Sequence, residues 1–120
     1  MSFETSVRYV DDVAILDLAG RIVLNDGSAT MREAIAKLRE EGASKILLNL
    51  ADVSFMDSFG LGELASAFAR VNKAGGQLKL VNIPARIVDL LRITKLDTVL
   101  AAFPNEPAAL QSFSSGAAGV

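Results

Sequence analysis

Histidine and cysteine are both absent from this 120-residue chain, and each absence excludes a different chemistry. Without histidine there is no Ser-His-Asp or Cys-His arrangement, no histidine zinc site, and no side chain whose ordinary titration falls near neutral pH. Without cysteine there is no disulfide, no thiol nucleophile and none of the usual soft metal ligands, which suits a reducing compartment. Basic clusters are missing too. The 12 Lys and Arg residues are scattered among 14 Asp and Glu, for a formal net charge of −2, so no nucleic-acid-binding surface is expected. The start, "MSFETSVRYV", has neither the basic opening nor the apolar run of a signal peptide, and no apolar stretch is long enough to cross a membrane. The expectation is a soluble, cytoplasmic protein without nucleic-acid or membrane partners.

What is present describes one compact domain. The chain is 51% hydrophobic with both charge signs interspersed, a length and composition that bury a single core. "TSVRYV" and "VAILDLAG", on either side of Asp11-Asp12, predict a β-hairpin, and the two carboxylates are solvated turn formers, so no metal is expected there. "NDGSATMREAIAKLREEGAS" spaces Met31, Ile35 and Leu38 as one helix face, with Asp26 or Ser28 as N-cap and Gly42 as the stop. "KILLNL", residues 45–50, is a strand buried on both faces.

A second helix follows in "LGELASAFARVNKAGG", then a strand in "QLKLVNI", together a βαβ unit. Pro84 opens a third helix in "ARIVDLLRITKL", and "TVLAAF" reads as a weaker strand. Asn105 caps a short final helix with Pro107 in its first turn. The predicted fold class is α/β: a mixed sheet with a leading hairpin and about four helices, ordered over about 5–112, with a flexible end at 113–120.

The distinctive stretch is "FMDSFGLG", residues 55–62. It sets Asp57 and Ser58 between a buried strand and a helix beginning near Gly60, where α/β folds place their sites. Either residue could simply be an N-cap, although that leaves both glycines unexplained. Gly60-Leu61-Gly62-Glu63-Leu64-Ala65 matches the G-x-G-x-x-A form of a dinucleotide fingerprint. Against that reading, nine residues separate the strand from Gly60, and the place of the ribose-binding acid falls in a strand ending at Asn82. Third, an exposed hydroxyl at a helix N-terminus is well placed to carry a phosphate, because unpaired N–H groups and the helix dipole favour negative charge there. Phe59 and Leu61, if exposed, would form a contact rim, whereas Phe55 and Met56 are expected to be anchors. Glu63 suits the first-turn dipole and needs no catalytic role.

"LNLADVSFMDSFGLGELASAF", in a chain of this length and element order, resembles the STAS domain of bacterial anti-sigma factor antagonists, which carry a D-S-x-G-L-G turn after "V-x-F-M" or a close variant. The resemblance in layout extends over about 5–112. It implies a non-enzymatic protein without cofactor that, when unphosphorylated, binds an anti-sigma factor serine kinase. It further implies that the kinase phosphorylates Ser58 beside Asp57 and is thereby released, that a serine phosphatase restores the complex, and that Gly60, Leu61 and Gly62 form the turn and helix start.

Two positions depart from the family pattern. Phe59 stands where a second Ser or Thr is frequent, which leaves Ser58 as the one acceptor. An acidic residue often follows the glycine ending the early strand, and here the chain reads Gly20-Arg21-Ile22-Val23, with Asp26 nearby. The alternative within the same fold is a constitutive scaffold or regulatory subunit of a larger signalling complex.

Overall fold

The computed structural model describes residues 3–118, with side chains through Ser114. A hairpin opens it: β1 (Glu4–Val10) and β2 (Val13–Ile22), joined at Asp11, whose φ of 54° places it in the left-handed region that Asp tolerates better than most residues. The chain continues through α1 (Ser28–Glu40), β3 (Lys45–Met56), α2 (Ser58–Lys73), β4 (Gln77–Val81) and α3 (Ala85–Ile93). A single 3-10 turn at Leu96–Thr98, β5 (Ala102–Phe103) and α4 (Glu106–Ala118) complete it. The sheet has five strands in chain order, β1-β2-β3-β4-β5; β1 runs antiparallel to β2 and every later pair is parallel.

Alternation along the strands builds two cores. Ala14, Leu16 and Leu18 of β2 and Ile46, Leu48 and Leu50 of β3 point to the side covered by α1, α2 and α3. Val13, Ile15, Leu47 and Val81 point the other way, where α4 covers them with Ala109 and Phe113. "KILLNL" is therefore buried on both faces, as its unbroken aliphatic run predicts. α4 is also tied by charge: Arg8 on β1 donates to Asp17 at 2.7 Å and to Glu106 at 2.6 Å. Lys79, under the same helix, donates to the Ser112 carbonyl at 3.1 Å and lies 4.7 Å from the Phe113 ring centre; burial lowers its pKa.

Several expectations are corrected. β3 runs to Met56 rather than stopping at Leu50. Past Asn49 it outgrows β4 and pairs with β2 alone, so its tail loses the aliphatic signature. Neither Asp26 nor Ser28 caps α1. Gly27 is the N-cap residue, since a Cβ there would lie 2.2 Å from the Arg21 carbonyl oxygen, and Ser28 is buried in the first turn. "TVLAAF" contributes only Ala102 and Phe103 to the sheet. α4 continues to Ala118 and carries Phe113, the first residue of the stretch expected to be flexible, into the second core at 1% exposure; residues 119–120 of that stretch lie outside the described residues.

Candidate functional site

One residue, Asp57, separates the end of β3 from the start of α2. Its extended backbone (φ −98°, ψ −175°) is the N-cap conformation, and its carboxylate serves two segments. Oδ1 accepts from the Gly60 amide at 2.9 Å, which closes the first turn of α2; Oδ2 accepts from the Leu24 amide at 3.2 Å, which fastens the connection between β2 and α1. The Asp57 amide in turn donates to the Ile22 carbonyl at 3.3 Å. Burial works against the charge, but the amides of Gly60, Leu24 and Phe59 outweigh it and hold the carboxyl below the usual carboxylate range. At neutral pH Asp57 is ionised.

The two glycines of the motif have different reasons. A Cβ on Gly60 would meet the Ile22 carbonyl oxygen at 2.2 Å and the Ile22 Cγ2 at 2.8 Å, so the first turn of α2 reaches the end of β2 only because this residue lacks a side chain. A Cβ on Gly62 would meet nothing within 4 Å. Both lie inside α2. The nine-residue gap weighed against a dinucleotide fingerprint therefore disappears, but the glycines do not form the tight turn ahead of the helix that a fingerprint requires. Asn82, where the ribose-binding acid would be sought, donates to Asn49 Oδ1 at 3.2 Å within a sheet-end polar network.

Ser58, the first residue of α2, is exposed, and Phe59 beside it is 54% exposed. Leu61 is 7% exposed and packs in the main core: a helix starting at Ser58 turns Leu61 and Leu64 inward at i, i+3, so Leu61 cannot serve as rim. Met56 is an anchor in the same core. Phe55 is not; it points to the opposite face, is partly exposed, and carries the Arg21 guanidinium 5.3 Å from its ring centre.

Leu24, exposed and held to the turn through Asp57, is a member of the site that the sequence reading missed; an apolar residue directly before the turn-forming run "NDG" was its only signal. Asp26 lies three residues beyond Val23, to whose carbonyl its amide donates at 3.1 Å. Glu63 pairs with Arg32 of α1 at 2.7 Å, a structural role. Asp12 of the hairpin turn takes Lys45 Nζ at 2.7 Å, and among the described residues no three acidic side chains converge as a metal site would need.

Comparison with known proteins agrees with this geometry. The STAS domain family matches residues 4–109. The anti-sigma-B factor antagonist of Bacillus subtilis is 35% identical over 100 residues, covering 83% of this chain and 90% of that protein. The crystal structure of an anti-sigma factor antagonist from Mycobacterium paratuberculosis superposes with a TM-score of 0.83 at 22% identity, over 92% of this chain and 93% of that one. The Bacillus cell fate determinant SpoIIAA in its phosphorylated form superposes at 0.69 with 20% identity, over 90% and 98%. At those identities the two structures speak for the fold.

Proposed function

The chain belongs to the STAS domain family, and from that premise we propose that it is an anti-sigma factor antagonist, a non-enzymatic partner switch controlled by phosphorylation of Ser58. The observation that carries the reading is the exposed Ser58 hydroxyl, next to an ionised carboxylate cap and beside the exposed apolar side chains of Phe59 and Leu24. Unphosphorylated, this surface presents a neutral hydroxyl between the amide-bound Asp57 carboxylate and apolar side chains, suited to docking on an anti-sigma factor serine kinase. The phosphate adds a charge of about −1.5 to −2 beside Asp57.

The domain tolerates that charge, because the α2 N-terminus favours an anion by roughly 0.3–1 kcal/mol and solvent screens the rest. The interface does not. Burying the phosphate next to a second carboxylate costs several kcal/mol unless the partner supplies cations, and each 1.4 kcal/mol is about tenfold in affinity. A serine phosphatase acting on the same exposed side chain resets the switch. The proposed setting is the cytoplasm, and no helix among the described residues is long and apolar enough to cross a membrane.

The test is affinity capture from native lysate with wild type, Ser58→Ala and Ser58→Asp as baits. The proposal expects a serine kinase retained by wild type and Ser58→Ala and lost from Ser58→Asp. Retention of one multi-subunit assembly by all three baits would overturn it in favour of a constitutive scaffold.

A further inference from the structure

We propose that the outer edge of β1 is a self-association surface, on which two copies of this chain join their β1 strands antiparallel about a twofold axis at Val7, each Tyr9 ring entering a groove of the other copy. β1 ends the sheet. Its seven residues pair with β2 on one side without a register break, and among the described residues nothing pairs with the other side. The opposite edge, β5, has two residues. Natural edges are blunted by shortness, proline, bulges or outward charge, and β1 has no proline or bulge, spans seven residues, and carries its one carboxylate, Glu4, at its first position. Its one cation, Arg8, is drawn away by Asp17 and Glu106.

A groove of about 420 Å³ runs between β1 and α1, floored by Val7, Ala34 and Leu38 and entered past Thr5. Val7 and Tyr9 stand on the same side of the sheet as that groove and are 47% and 55% exposed. Val7 and Tyr9 pair in register with Leu16 and Ala14, both of the core under α1.

Self-complementarity selects a second copy as the occupant. A twofold axis perpendicular to the sheet keeps each residue on its own face, so it must pass midway between the two copies of one residue, and an isologous contact must match the patch to itself. The axis at Val7 pairs the whole strand: Val7 with Val7, Thr5 with Tyr9, Ser6 with Arg8, Glu4 with Val10. No like charges oppose each other. Tyr9 of one copy then lies over Thr5 of the other, at the mouth of the groove. The groove wall on α1 carries Glu33, Lys37 and Glu41, alternating in sign, so that two α1 helices apposed antiparallel can set Lys37 against a glutamate. A foreign strand would satisfy the backbone edge, but nothing on this surface selects its side chains.

The absence of cysteine makes the test direct. In a paired antiparallel edge the two Val7 Cα atoms would lie about 4.5–5.5 Å apart, within the roughly 4.4–6.8 Å that a disulfide spans. Under mild oxidation, Val7→Cys should form covalent dimers about tenfold or more faster than Val99→Cys, an equally exposed position outside β1. Sedimentation of the wild type should show a concentration-dependent dimer. Tyr9→Ala should weaken it about tenfold, and Val7→Lys, which sets two cations on the axis, should abolish it with the circular dichroism spectrum unchanged. Equal cross-linking at positions 7 and 99, or a wild type that stays monomeric to about 1 mM, the weak end of specific association, overturns the proposal.

Discussion

The Asp57 carboxylate holds the Leu24 amide at 3.2 Å across 33 residues of sequence while capping its own helix. Asp57 is therefore a clamp between the β2–α1 connection and the α2 N-terminus, and graded substitution measures it. Asp57→Asn keeps an oxygen for one amide and ranks with Asp as an N-cap, so its stability should stay within about 1 kcal/mol of wild type. Asp57→Ala loses both bonds and should cost about 1–2 kcal/mol. Urea titration measures the loss, and amide exchange locates it: the Leu24 amide should exchange faster in Asp57→Ala while amides in the middle of β3 are unchanged at short times. Equal protection of Leu24 in both proteins would show that the connection is held by something else.

The two motif glycines should respond to alanine with opposite signs. Gly60→Ala forces a methyl to within 2.2 Å of the Ile22 carbonyl, so the α2 turn must lift from β2 at a cost of about 1–3 kcal/mol. Gly62→Ala places the same methyl in open space on a helix and should stabilise by about 0.4–1 kcal/mol. A Gly60→Ala midpoint that does not fall would contradict the close approach assigned to Gly60, and a Gly62→Ala midpoint that falls would contradict the open space at Gly62.

Much of this was legible in the sequence, and what was not has a tertiary cause. Periodicity placed the hairpin, the helices and the doubly buried "KILLNL", because there the pattern and the packing coincide. The tail of β3 was missed because Asp52, Ser54 and Phe55 are exposed on a strand segment with a single neighbour. The α1 cap was misassigned because preference scales offer Asp26 or Ser28, whereas the space beside Arg21 admits only Gly27. Ser58 and Phe59 stand where an exposed turn predicts. Leu61 does not, since moving the helix start back to Ser58 rotates it inward. Leu24 was out of reach: only the long-range bond from Asp57 brings it to the turn.

Acid should weaken the ion pairs that fasten β1 to β2 and α4. Hydrogen bonding from Arg8 holds Asp17 below its ordinary value of 3.8 and Glu106 below 4.5. Both pKa values are depressed on folding, so the native state binds fewer protons. Their contribution is complete above the unfolded values and fades as pH falls through the lower native ones. Arg8→Met should be less stable than wild type by a constant amount above about pH 5, with the gap closing toward pH 3. Urea midpoints of both proteins across that range test this, and a gap that persists undiminished to pH 3 would remove Arg8 as the cause.

The reading of Ser58 as an interface switch requires that negative charge there leave the domain intact. At the first position of α2, Ser58→Asp gains about 0.3–1 kcal/mol from the helix dipole. Against this stands repulsion from ionised Asp57, about 1 kcal/mol at a hydrated surface. The two nearly cancel, so stability should change by less than about 1 kcal/mol, and the melting temperature by no more than about 4–8 °C. An interface that buries both charges has no such compensation. Thermal unfolding of Ser58→Asp therefore decides how any loss of partner binding is interpreted. An unchanged transition assigns the loss to the docked surface around Phe59 and Leu24. A collapsed transition would mean that phosphorylation acts by opening the Asp57 clamp, and the repulsion mechanism would have to be abandoned.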